Sequence, residues 1–262
     1  MRRAFLVPTV ASSVEETEQT RISFKQRIRD VTEITLAGGS TWIDDRSDLF
    51  RVAHGISNIE DIRRVPMLSG ALREWTSIQV PHFYMHYLGF HDLPIQKEVA
   101  HMFSLLCPSQ LFEVSPHLAD ILSSKSHQRK KRIGFVSSLI GGDEPHGLLV
   151  LDVIRSLQGL FEFFVVSVGS KPPSSDFFHA TNGNVFQVGY DDNAARNLLK
   201  SLELDCLVYA EAMNEAIVYF LGYQRFAKVQ ILVMGSPVSS GIPTFDYFIS
   251  GDLLEHVSVA TC

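Results

Sequence analysis

From residue 132 onward, short apolar runs alternate with segments whose apolar positions recur every three or four residues. The runs are rich in Val, Ile, Phe and Tyr and predict β-strands, whereas the segments between them predict helices. The predicted strands are 132–137, 161–168, 185–188, 206–210 and 229–234. The predicted helices are 146–158, 193–202 and 214–223. This alternation is typical of βαβ units built around a parallel sheet.

The strand pattern also indicates which faces of the sheet are buried. The run Phe163-Phe164-Val165-Val166 is apolar at every position, as expected when helices cover both faces of the sheet. The predicted fold class is therefore α/β, a Rossmann-like parallel sheet with helices on both faces. Ligands of such folds bind at the carboxyl ends of the strands, so the loops 137–146, 210–214 and 235–241 are the ones expected to carry function.

The first half of the chain has a different pattern. Ser13 followed by Glu16 has the spacing of a capping box and predicts a helix to about Val31, and a second helix is predicted over 95–106. We divide the chain into a mainly helical region 1–122, a basic linker 123–131, a Rossmann-like lobe 132–256 and a divergent tail 257–262. The basic run of the linker is interpreted as a solvated connection, with a localisation signal or a phosphate-binding patch as the alternatives.

Composition and charge exclude some classes of function. The net charge of -6 argues against a nucleic-acid binder that relies on phosphate neutralisation. No run approaches the roughly 18 apolar residues of a membrane span, so no membrane partner is expected. Cys107, Cys206 and Cys262 are odd in number and far apart, which suits neither a disulfide framework nor a zinc site. A cytoplasmic or nuclear protein without a metal or another resident cofactor is expected.

Two of the three loops contain candidate functional residues. Asp143, Glu144 and His146 could supply a general acid and base, although helix capping by Asp143 explains the same residues equally well. The Gly141-Gly142 pair before them lacks both the dinucleotide-binding fingerprint and a Walker lysine. In the third loop, Gly235, Ser236 and Pro237 suit hydrogen bonding to sugar hydroxyls or, alternatively, form a rigid turn.

Several stretches resemble the bacterial-type branch of the protein O-linked N-acetylglucosamine transferases. Residues 132–138, Arg-Ile-Gly-Phe-Val-Ser-Ser, are similar to the opening strand of the catalytic region in that family. The stretch 204–211, followed by 219–221, 229–230 and 235–250, matches the family in order and spacing. An upstream stretch, 81–92, resembles the segment that precedes the catalytic lobe.

The resemblance implies a two-lobed GT-B transferase that moves N-acetylglucosamine from UDP to Ser or Thr hydroxyls of proteins, usually without a metal. UDP-N-acetylglucosamine is then the donor, and a protein is the acceptor. By position, Gly235 and Pro237 correspond to the sugar-contacting loop. The acceptor-side histidine of the family falls at Asp143 and Glu144, with His146 close behind.

Two positions of the third loop depart from the family pattern, and so does the end of the chain. Ser236 stands where this branch often has histidine, and Met234 where it often has tryptophan. The family continues after the equivalent of His256 into a second lobe that carries the UDP site, so the resemblance implies that this chain alone is inactive. No repeat of about 34 residues, the kind that recruits protein substrates, is found. The alternative is a non-enzymatic interaction module whose exposed lobe face is covered by a partner.

Overall fold

The computed structural model describes residues 13–38, 85, 91–106, 114–123, 129–140, 144–233 and 240–251. Several predictions fall outside these ranges. They concern the candidate residues Asp143, Gly235, Ser236 and Pro237, the tail 257–262 and most of the stretch 81–92. Among the described residues, no helix is both long and apolar enough to cross a membrane.

In the described part of the chain before the sheet there are two long helices and a short one. Helix α1 is Val14–Gly38 and helix α2 is Leu93–Leu106, so both predicted helices are present and α1 extends beyond its predicted end. The capping prediction also holds in part, because Ser13 Oγ accepts a hydrogen bond from the Glu16 amide at 3.1 Å. A 3-10 helix, Pro116–Ser123, follows.

Helix α1 packs against α2. Phe24 and Ile28 are buried and lie one turn apart on α1, which places both on the same face of the helix. An ion pair joins Arg21 to the buried Asp92, just before α2 begins, and Lys25 Nζ lies 3.1 Å from a carboxylate oxygen of Glu98. An apolar stripe flanked by ion pairs therefore holds the two helices together.

The second half of the chain forms one parallel sheet of six strands in the order β3-β2-β1-β4-β5-β6. The strands are β1 Arg132–Ser137, β2 Glu162–Val168, β3 Val185–Val188, β4 Cys206–Tyr209, β5 Val229–Val233 and β6 Tyr247–Ile249. The helices are α3 Pro145–Ser156, α4 Ser175–Ala180, α5 Asp192–Ser201 and α6 Ala216–Leu221. The five predicted strands and three predicted helices are confirmed, β1 and β3 with their predicted bounds and the others with shifted ends, whereas α4 and β6 are additional.

Consecutive residues of the central strands enter different hydrophobic cores. Phe135 belongs to one core and Val136 to the other, and the same holds for Phe163 and Phe164. One core includes buried residues of α3 and α4, and the other includes residues of α5 and α6. Because helices cover both faces, the strands are apolar throughout, and the predicted α/β, Rossmann-like fold class is confirmed.

Helix α2 also packs against the lobe. The Phe103 ring is buried and meets the rings of Tyr219 and Phe220 edge-on, at centroid distances of 6.1 and 5.3 Å. Gly241, after β5, lies so close to α2 that an added Cβ would stand 2.5 Å from backbone atoms of Gln96 and Lys97. The helical region and the lobe are thus in direct contact.

Candidate functional site

The strand order reverses between β1 and β4, at the centre of the sheet. The chain builds outward from β1 through β2 to β3, and then returns to pair β4 with the opposite edge of β1. At such a reversal the connections leave in opposite directions, and the crevice outside the strand ends is where open α/β sheets bind ligands. The residues directly after β1 and β4 are therefore the first to consider.

A buried carboxyl group joins these two strand ends. Glu211, just beyond β4, is fully buried, and its Oε1 accepts hydrogen bonds from the Ser138 amide at 2.6 Å and from Ser138 Oγ at 2.8 Å. Its Oε2 accepts from the hydroxyl of Ser137, the last residue of β1. Ser137 Oγ in turn accepts from the Leu139 amide at 2.8 Å. We call Glu211, Ser137 and Ser138 the switch-point cluster.

Burial is the main influence on the ionisation of Glu211. Desolvation raises the pKa of Glu211 to about 7, against the opposing effect of the hydrogen bonds from Ser137 and Ser138. The charge of Glu215 raises the pKa of Glu211 further. The carboxyl group can therefore hold or lose its proton near neutral pH. Since it is shielded from solvent, its direct effect is on the loop that leaves β1.

The segment between β4 and α6 contains a buried acceptor without a partner among the described residues. Asn214 follows β4 and precedes α6, and its Oδ1 is buried without a hydrogen-bond partner among the described residues. A buried carbonyl oxygen without a partner costs free energy unless water or a ligand donates to it. The segment after β4 thus carries both the carboxylate of the switch-point cluster and a buried acceptor that suits a hydroxyl or amide donor.

The described members of the predicted acid-base group do not join the switch-point cluster. Glu144 directly precedes α3, and its Oε1 lies 2.5 Å from Lys171 Nζ on the loop after β2. Lys171 lowers the pKa of Glu144 by hydrogen bonding and by its charge, and Glu144 raises the pKa of Lys171 in the same way. His146 lies in the first turn of α3, half-buried, near enough for its charge also to lower the pKa of Glu144.

These contacts define what each of those residues can do. A carboxylate whose pKa is lowered by a lysine stays ionised at neutral pH, so Glu144 is suited to holding a positive charge rather than to donating a proton. His146, in the first turn of α3, carries the imidazole of the group, and histidine is the side chain that serves most often in general acid-base catalysis.

The described residues around the third loop show how it is anchored. Strand β5 ends at Val233, and the chain is described again from Ser240, which is fully buried and accepts a hydrogen bond from the Ile242 amide at 3.3 Å. Gly241 has a φ of +71° and lies against α2. Within the described ranges, no group of three or more His, Cys, Asp or Glu side chains is placed to hold a metal ion.

The individual residues of the switch-point cluster were not predicted from the sequence. The loop 210–214 was identified from its place after a strand, but Glu211 was not selected within it. Two features of the sequence could have indicated the cluster. One is a carboxylate directly after an apolar strand, and the other is a Ser-Ser pair at the end of the first strand. Only the parallel pairing of β1 with β4 shows that the two meet.

The chain is similar in structure to a solved glycosyltransferase, although comparisons of its sequence found no match. No protein-family model matches the chain, and no curated protein matches it. Among solved structures, a mutant of the Thermobaculum terrenum O-GlcNAc transferase is similar, with a TM-score of 0.47 and 14% sequence identity. The similarity covers 90% of this chain and 42% of that one, so this chain spans less than half of the similar protein.

Proposed function

We propose that this chain is the first lobe of a GT-B glycosyltransferase of the protein O-linked N-acetylglucosamine transferase type. The observation that supports this most directly is the switch-point cluster. Ser137 and Ser138 belong to one stretch that resembles that family, and Glu211 ends another, 73 positions after Ser138. Two separate stretches of the chain, each of which resembles this family, are therefore in contact at the strand ends where this fold binds ligands.

In this proposal, the donor is UDP-N-acetylglucosamine and the acceptors are Ser or Thr hydroxyls of proteins in the cytoplasm or nucleus. No metal is required. Gly235, Ser236 and Pro237 contact the sugar, and the loop that carries Asp143, Glu144 and His146 faces the acceptor. The switch-point cluster positions the start of that loop through the Leu139 amide.

The proposal assigns the sugar, rather than the uridine, to this lobe. In a GT-B enzyme the second lobe makes the main nucleotide contacts, so we expect this chain to hold N-acetylglucosamine more closely than uridine. Saturation-transfer difference NMR with UDP-N-acetylglucosamine tests this directly. The protons of the sugar ring and its acetyl group should receive more saturation than those of the uracil ring.

Two variants make the measurement specific. Glu211→Gln, which keeps the shape of the side chain but removes its charge, should reduce the sugar signal, whereas Lys130→Gln, a change on the exposed linker, should leave it unchanged. Circular dichroism checks that both variants are folded. If the uracil protons receive more saturation than the sugar protons, the donor site has been assigned to the wrong residues. A folded chain that transfers no saturation to either group would instead favour the non-enzymatic interaction module.

A further inference from the structure

A cavity lies between α2 and the last two strands, β5 and β6. Its volume is about 580 Å³, which is within the range of small-molecule sites. Its floor is apolar and is formed in part by Leu232 of β5, Phe248 of β6, and Ile242 and Phe245 between them. It shares no lining residue with the switch-point cluster.

The wall formed by α2 is mixed, because Leu93 and Ala100 are apolar while the three other residues of the helix that line the cavity are polar. Lys97, His101 and Ser104 all line the cavity and are spaced by four and then three residues, which places them on one face of the helix. Lys97 and His101 are exposed, and neither side chain has an ion pair or hydrogen bond with the residues that the structure describes. Ser104 Oγ donates to the backbone oxygen of His101 at 2.6 Å.

Among the described residues that line the cavity, Asp246 is the one that carries a carboxylate, and its charge is already neutralised. Asp246 accepts hydrogen bonds from both terminal nitrogens of Arg225, at 2.5 and 3.1 Å, and from the Gln230 amide at 2.7 Å. It therefore offers little to a cationic ligand. The charge left without a partner in the cavity is the ammonium group of Lys97, with the imidazole of His101 one turn away, so the cavity selects for an anion.

We propose that this cavity binds a small amphipathic carboxylate, whose carboxylate lies against Lys97 and His101 while its hydrocarbon body covers the apolar floor. The size of the cavity suits a small molecule, and polar side chains on α2 opposite an apolar floor suit a ligand with one charged end. This site goes beyond the proposed transferase function, because none of the described residues that line it belongs to the switch-point cluster.

The probes are octanoate, octan-1-ol and octylamine, which share one hydrocarbon chain and differ in the charge of the head group. Titration calorimetry of the full chain should show that octanoate binds more tightly than octanol, and that octylamine binds least. Lys97→Gln should weaken octanoate binding about fivefold, the effect of one exposed charge pair, and leave octanol binding unchanged. Lys130→Gln removes an equally exposed charge from the linker and should change neither.

A cavity-filling variant separates binding in the cavity from adsorption elsewhere. Ser104→Phe places a ring in the space between α2 and the floor, and should abolish the binding of both octanoate and octanol. The proposal is overturned if octylamine binds as tightly as octanoate, if Lys97→Gln and Lys130→Gln behave alike, or if a folded Ser104→Phe chain still binds octanoate.

Discussion

The carboxyl group of Glu211 shows how one side chain can link parts of the sequence that lie far apart. Its two oxygens accept three hydrogen bonds from the Ser-Ser pair at the end of the first strand of the sheet. Each hydrogen bond to an ionised group contributes on the order of 1.5–3 kcal/mol, yet complete burial opposes the charge that makes these bonds strong. The raised pKa of Glu211 is the net result.

This balance predicts an unusual dependence of stability on pH. The pKa of Glu211 is about 7 in the folded chain and 4.5 in the reference state, so between these values the folded chain holds more protons than the unfolded one. The contribution of Glu211 to stability is therefore fully present below pH 4.5 and is lost as the pH rises through 7, by roughly 3 kcal/mol. Urea unfolding at pH 5 and pH 8 measures the loss.

The matched variant is Glu211→Gln, which cannot ionise and should show a smaller decrease in the free energy of unfolding between pH 5 and pH 8. The control is Glu18→Gln, at an exposed position on α1. Its free energy of unfolding should decrease between pH 5 and pH 8 as much as that of the unmodified chain. If the curves of Glu211→Gln and the unmodified chain run parallel across this range, the carboxyl group does not titrate as described.

At the scale of the element, Gly241 links α2 to the lobe. It has a φ of +71°, and an added Cβ would lie 2.5 Å from backbone atoms of α2, which cannot rotate away. Gly159 provides the control, because its φ is +89° but nothing lies within 4 Å of its added Cβ. Gly159→Ala should cost about 1 kcal/mol for backbone strain alone, and Gly241→Ala about 2–4 kcal/mol.

Thermal or urea unfolding of the two variants measures the difference. A larger loss for Gly241→Ala would show that the close approach to α2 contributes to stability beyond backbone strain. Equal losses would mean that α2 moves aside at little cost, and that the cavity between α2 and β6 is adaptable.

The elements that could be predicted are those whose pattern is local and long enough to recognise. Strands β1 and β3 match their predicted bounds, since each is a short apolar run bounded by polar residues or a glycine. Strand β6 has three residues and helix α4 has six, and both are too short to show a repeating pattern of apolar positions. The start of α5 is one residue earlier than predicted, because Asp191 caps it by accepting from the Ala194 amide at 3.0 Å.

The site was less predictable than the fold, because its geometry depends on contacts between distant residues. Position after a strand identified the loop of Glu211, but its burial depends on Ser137 and Ser138, which reach it through the pairing of β1 with β4. Glu144 was identified as an acid-base candidate, yet its ion pair with Lys171 follows from the pairing of β1 with β2. Neither partner is near in sequence.

At the scale of the whole molecule, the contact between α2 and α6 couples the helical region to the lobe. Phe103 is 2% exposed and packs edge-on against Tyr219 and Phe220. Truncating a buried Phe to Ala costs about 3–5 kcal/mol. Phe178, which is 57% exposed, is the matched control, and its change to Ala should cost well under 1 kcal/mol.

Hydrogen exchange followed by mass spectrometry shows whether Phe103→Ala destabilises the whole chain or only a part of it. If the helical region and the lobe unfold as one cooperative unit, Phe103→Ala should lower amide protection in α2, in α6 and in the central strand β1 together. Loss of protection in α2 alone would show that the lobe is stable by itself. In that case the tight approach of Gly241 to α2 would be a contact between two separately folding units, and the cavity beside it would lie at their interface.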